Sequence, residues 1–177
     1  MSQHIQATLR RVEAVFLRRP EAGLHDDIPA SARWIEGTRV VVSHENGARF
    51  ATDMPVELGG GGRDVTPGWF FRAGVASCAV SSIVLTAAAE GVELTALEVD
   101  AGSRSDARGI LGMIGDDGAQ VPAHPEALRL RIRLSGRGAT AEQLRALVER
   151  AMSRSPIPCA VAHAVPLVLD VDVAPPG

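Results

Sequence analysis

The sequence predicts an α+β fold in which strands and helices are segregated rather than alternated. Three observations carry this. Residues 33–53, 94–103 and 128–134 show strand alternation, residues 67–90 form one long apolar helical run, and residues 140–152 carry a second helical stripe. Their order, strands then helix, strands then helix, with a last strand, does not build βαβ units. With 177 residues and a hydrophobic fraction of 46%, the chain is the size of one ordinary domain with a substantial core.

Each element has its own local signal. From Gln3 to Arg19, the residues Ile5, Leu9, Val12 and Phe16 fall at helical spacing, and Pro20 stops the run. Glu21 to Ala32, with Pro29, Gly23 and paired aspartates, reads as a connector. Strands then surround Asn46-Gly47, a strong hairpin signal. A two-residue loop there sets His44 opposite Arg49, Ser43 opposite Phe50 and Val41 opposite Thr52, which places Arg39 on the face of Val41 and Phe50. Gly59 to Gly62 form a glycine loop, but the Gly-Lys-Ser/Thr of a phosphate cradle does not follow.

Thr66 suits an N-cap, Pro67 the first helical position and Gly91 a C-terminal cap, which bounds a helix over 67–90. That helix is apolar or small on nearly every face, so it must be covered all round, and a homodimer supplies the cover. Leu94 to Ser103 reads as a strand and Arg104 to Pro125, rich in Gly and Asp, as a long loop or loosely formed hairpin. Leu128, Leu130, Ile132 and Leu134 alternate with Arg129, Arg131 and Arg133, giving a strand with one buried and one wet face. Thr140 with Gln143 forms a capping box, and Leu144, Leu147, Val148, Ala151 and Met152 supply the stripe of the next helix. Ser155-Pro156-Ile157-Pro158-Cys159 breaks or restarts this helix, and Val165 to Val173 reads as a closing strand at a sheet edge, interrupted by Pro166.

Composition narrows the chemistry. All 18 basic residues are arginine, with neither lysine nor tyrosine, so Schiff-base lysines, P-loop lysines and tyrosine acids are excluded. A net charge of −3 gives no general attraction to phosphate backbones, and no basic patch argues for nucleic acid. No uninterrupted apolar stretch of spanning length is apparent, so a soluble, cytoplasmic protein without membrane contact is expected. Two cysteines, Cys78 and Cys159, are too few for a disulfide framework or a cysteine-built zinc site.

Cys78 lies mid-helix, where the dipole of its own helix gives little help. If it reacts as a thiolate, another group must favour the charge, and arginine is the available cation. Arg72 lies six residues earlier and points to another face, which leaves Arg39 and Arg49 of the hairpin. His44 and His163 offer a Cys/His pairing, but nothing in the sequence fixes either beside Cys78.

The segments DMPVELGGGG, TPGWFFRAGVASC and EGVELTALEV, with SPIPCAV before the last strand, resemble the OsmC/Ohr family of thiol-dependent hydroperoxide reductases. The resemblance runs from about Trp34 to Val173. It divides the chain into an N-terminal helix and connector over residues 1–33 and an OsmC-like domain over residues 34–177. It implies an OsmC-like fold of curved antiparallel sheets around long central helices, in an intertwined homodimer with its active sites at the interface. By the same resemblance Cys78 is the peroxidatic cysteine, Cys159 the resolving thiol and Arg39 the activating arginine, without metal or organic cofactor. The implied partners are a small organic hydroperoxide, a dithiol reductant and a second copy of the chain. Two positions depart from the pattern. The family's arginine-holding glutamate falls on Gly68, for which Glu57 or Asp64 are possible substitutes, and its second cysteine falls on Ser155, four residues before Cys159. The departures leave an alternative, a non-catalytic member binding an apolar ligand at the dimer interface.

Overall fold

A computed structural model describes residues 2–173. Helix α1 (Ser2–Arg18) ends before Pro20, as its spacing predicts. Strands β1 (Ser31–Glu36), β2 (Arg39–Ser43) and β3 (Arg49–Thr52) form an antiparallel sheet in that order. Helix α2 (Pro67–Glu90) is followed by β4 (Glu93–Arg104), a single turn α3 (Ala107–Ile110) and β5 (Ala127–Arg137), which pairs antiparallel with β4. Helices α4 (Ala141–Met152) and α5 (Pro156–His163) close the described architecture.

The boundaries of α2 follow from its terminal residues. Thr66 Oγ1 accepts the N–H of Trp69 at 3.2 Å, Pro67 has no donor to waste, and Gly91 at φ +73° ends the helix. Helix α4 has both bonds of its capping box: Gln143 N–H donates to Thr140 Oγ1, and Thr140 N–H donates to Gln143 Oε1.

The core lies where α2 meets α4 and the β4–β5 sheet. Ile83, Ala87, Leu147 and Ala151 are buried, and Leu97, Val99, Ile132 and Leu134 pack against them from the sheet. Arg133 on the outer face is ion-paired to Glu98 and Asp100, so the arginine row of β5 is the solvated side of a strand. Arg150 of α4 donates to both carboxylate oxygens of Glu90, at 2.8 and 2.7 Å, and ties the end of α2 to α4. Helix α2 has the length and hydropathy of a membrane span, 24 residues with mean hydropathy 1.6, which differs from the sequence expectation. It packs instead against α1, α4, α5 and β4.

Two further expectations need correction. The hairpin loop contains three residues, Glu45, Asn46 and Gly47, not two. Gly47 N–H donates to His44 O and His44 N–H to Ala48 O, both at 3.0 Å, with Gly47 at φ +91°. This is a type I turn followed by a left-handed residue, the common three-residue solution. His44 Nδ1 accepts the N–H of Asn46 at 3.1 Å and Asn46 Oδ1 accepts that of Ala48 at 2.9 Å, so polar side chains stabilise the longer loop. One extra residue moves every pair across the strands. Phe50 now faces Val42 and Ser43 faces Arg49, so Arg39 lies on the sheet face opposite Phe50. Phe50 meets Phe70 of α2 edge to face at 5.8 Å between ring centres, which makes its face the one toward α2.

The closing strand expected over Val165 to Val173 does not form within the chain. These residues are exposed and pair with no strand among the described residues. Alternation shows the capacity to pair, whereas a strand also needs an edge to pair with.

Candidate functional site around Cys78

Gly74, Cys78 and Ser82 are spaced four apart and make a narrow strip of small residues on α2. The N-terminus of α5 lies over this strip. A Cβ on Gly74 would stand 3.8 Å from Ile157 Cδ1, so the strip admits α5 at van der Waals contact. The close approach brings Ser155, the N-cap residue of α5, against Cys78.

Ser155 is fully buried, yet its side chain does not cap its own helix. Ser82 Oγ donates to Ser155 Oγ at 3.0 Å, and Ser155 Oγ stands 3.4 Å from Cys78 Sγ, where its proton is free to donate once the sulfur is a thiolate. The N–H of Ile157, second residue of α5, also donates to Cys78 Sγ at 3.4 Å. Cys78 sulfur therefore takes the acceptor role that an N-cap side chain ordinarily fills. It is half-buried, receives two donors and faces the positive end of an eight-residue helix. Both donors stabilise negative charge on the sulfur. A backbone donor that α2 cannot give its own mid-helix cysteine comes from a different helix.

The other sequence-predicted residues stand apart from this cluster. Cys159 is one turn beyond Ser155, its N–H bonded to Ser155 O at 2.8 Å. Its Sγ is turned to the end of α4, donating to Met152 O at 3.6 Å and Ser153 O at 3.5 Å. Both cysteines are free thiols. Arg39 Nε donates to Asp64 Oδ2 at 2.8 Å, in a cleft of about 480 Å³ lined also by Thr38, Asp53, Gly61 and Arg63. This bond holds the guanidinium firmly protonated. Of the two carboxylates named from the sequence, Glu57 and Asp64, it is Asp64 that bonds Arg39. A Cβ on Gly68 would lie 3.6 Å from Arg72 Nη1, and Arg72 donates to Ser103 Oγ on β4.

Asp53 builds the cleft and was not singled out from the sequence. It is 5% exposed and accepts from Thr38 Oγ1 at 2.6 Å, Gly61 N–H at 2.7 Å and Met54 N–H at 2.8 Å. The Thr38 hydroxyl, with the backbone donors, holds its carboxyl below the usual carboxylate range. Gly60 allows the loop to fold back this tightly, since a Cβ there would meet Met54 O at 1.7 Å. Ser155 was likewise not assigned a bond to sulfur, nor Ser82 a bond to Ser155. The one available signal was the i, i+4 spacing of Cys78 and Ser82 on an apolar helix.

Fold and site together define a class: an α+β protein with a cysteine sulfur on its long central helix, held beneath the start of a second helix. The family model for OsmC-like protein matches residues 59–170, and the chain belongs to that family. The match includes Cys78, Ser155 and Cys159 and stops short of Arg39. No curated protein matches the sequence. Among solved structures, the OsmC-like protein from Mycoplasma pneumoniae is 12% identical over 80% of this chain and 91% of its own, with TM-score 0.65. An organic hydroperoxide resistance protein from Legionella pneumophila is 24% identical over 79% and 92%, with TM-score 0.55. A putative organic hydroperoxide resistance protein from Vibrio cholerae, with captopril bound in one of its active sites, is 26% identical over 80% and 90%, with TM-score 0.53.

Proposed function

We propose that this protein reduces organic hydroperoxides with Cys78 as the peroxidatic thiol. The observation that carries the reading is the pair of donors on Cys78 Sγ, the Ser155 hydroxyl and the Ile157 N–H. The thiolate attacks one peroxide oxygen, the O–O bond breaks, and the alkoxide leaves and takes a proton as the alcohol. Cys78 is left as a sulfenic acid. The organic hydroperoxide resistance proteins of similar fold support this substrate class.

In this reading two copies of the chain associate, and Arg39, held by Asp64, approaches Cys78 of the partner copy. Three observations support the arrangement. Arg39 lies on the sheet face away from its own α2, Trp69, Phe71 and Leu85 of α2 are exposed, and the apolar segment 165–173 pairs with no strand among the described residues. Two free thiols fit a reducing compartment such as the cytoplasm.

The test is to mix the reduced protein with cumene hydroperoxide and trap sulfenic acid with dimedone. Cys78 is expected to be labelled in the wild type, with no labelling at that position in Cys78→Ser. An unlabelled, still reduced Cys78 after excess peroxide refutes the reading.

A non-catalytic reading draws on the apolar groove of about 660 Å³ between α1 and α2, lined in part by Leu9, Val12, Phe16 and Leu85. An inert Cys78 together with saturable binding of a fatty acid would favour it.

A further inference from the structure

We infer that oxidised Cys78 is resolved by a thiol from outside the chain, so that the catalytic cycle needs one protein cysteine rather than two. The inference rests on the peroxidase reading and concerns the return of the sulfenic acid to the thiol. A protein thiol that resolves a sulfenic acid must bring its sulfur against the oxidised one. The group in that position is Ser155, whose Oγ stands 3.4 Å from Cys78 Sγ. An alcohol is too weak a nucleophile to take over the role.

Cys159 is directed elsewhere. Its sulfur donates to the carbonyl oxygens of Met152 and Ser153, and its N–H closes the first turn of α5 onto Ser155 O. The backbone that carries Cys159 is thus fixed by the same turn that presents Ser155 and Ile157 to Cys78. To meet Cys78, the Cys159 sulfur would first have to leave both the Met152 and Ser153 carbonyls. Cys78 itself is half-buried rather than sealed in the core.

The chemistry balances with an external thiol. The thiolate of the reductant attacks the sulfenic sulfur, forms a mixed disulfide with Cys78 and displaces hydroxide, which leaves as water. A second thiol attacks the reductant's sulfur in the mixed disulfide and restores the Cys78 thiol. The reductant is oxidised to its disulfide. A monothiol supplies the two sulfurs from two molecules and a dithiol from one.

The reduced, full-length wild type is treated with one equivalent of cumene hydroperoxide and its thiols are counted, with peptide mapping of any disulfide. One of the two thiols is expected to be lost, with Cys78 as sulfenic acid and Cys159 still reduced. β-Mercaptoethanol then yields a mixed disulfide on Cys78, whereas dithiothreitol returns the free thiol without an accumulated adduct. The variant Ser155→Cys places a second sulfur beside the first. It is expected to lose a further thiol on the same treatment, forming a disulfide between positions 78 and 155. A peroxide-dependent disulfide between Cys78 and Cys159 in the wild type, within one chain or between two, overturns the inference and leaves the peroxidase reading intact. Failure of Cys78 to oxidise at all ends the peroxidase reading instead. A folded Ser155→Cys variant that oxidises at Cys78 without forming the new disulfide contradicts the geometry on which the inference stands.

Discussion

Replacing Ser155 by alanine isolates one of the two donors on the candidate nucleophile. The side chain is fully buried and links Ser82 to Cys78, so Ser155→Ala removes one bond at 3.0 Å and one at 3.4 Å without adding volume. A hydrogen bond to a charged group contributes about 1.5–3 kcal/mol. Loss of about 1.5 kcal/mol of stabilisation of the charge on sulfur in the transition state corresponds to roughly a tenfold slower reaction. Ile157 N–H remains and keeps the sulfur oriented, so the reaction slows without being abolished. The assay is alkylation of Cys78 by iodoacetamide, followed at the Cys78 peptide by mass spectrometry, with cumene hydroperoxide oxidation in parallel. In the reduced ground state the two lost bonds are between neutral groups, about 1 kcal/mol each, which for a chain of this size lowers Tm by roughly 4–8 °C. Ser82→Ala leaves both donors to sulfur in place and is expected to have the smaller effect on rate. An S155A variant that is folded and reacts as fast as the wild type would refute the assignment of Ser155 as a donor to the nucleophile.

Three structural predictions test the surrounding framework. Gly60→Ala forces a Cβ into the carbonyl of Met54, and a stability loss of about 2–3 kcal/mol in urea unfolding is expected. Leu147→Ala empties a fully buried site between α4, α2 and the β4–β5 sheet, at a cost of about 3 kcal/mol in the same measurement. The third concerns acid. Because Asp53 titrates lower when folded than when unfolded, its contribution is fully present above the unfolded value near pH 4 and is lost as pH falls further. Asp53→Asn should therefore lower Tm at pH 7 and flatten the decline of Tm below about pH 4. An unchanged acid limb in the variant would show that the Thr38, Gly61 and Met54 bonds do not couple folding to this carboxylate.

Where bonding is local, the sequence was sufficient. Thr66, Pro67 and Gly91 bounded α2, and Thr140 with Gln143 began α4, because a cap is made within a few residues of the chain. The alternation of Leu and Arg in β5 showed which side would be wet, since side chains in a strand alternate whatever they meet. The glycine run, the proline-started helix and the Ser-Pro break already pointed to the family and to Cys78. Asn46-Gly47 located the hairpin but not its register, because a left-handed glycine serves both a two-residue and a three-residue loop.

Tertiary structure decided the rest, where each contact joins residues far apart in the chain. Only packing of α5 over the Gly74, Cys78 and Ser82 strip sets Ser155 and Ile157, 77 and 79 residues away, on the sulfur of Cys78. The bond from Arg39 to Asp64 likewise spans 25 residues and needs the hairpin and the glycine loop together. Chain spacing brought Cys159 to the right helix, and the helical turn then aimed it at the carbonyls of α4. A sequence specifies which groups are available within a turn or a strand. Which of them reach a given sulfur depends on how separate elements pack, and that is a property of the whole fold.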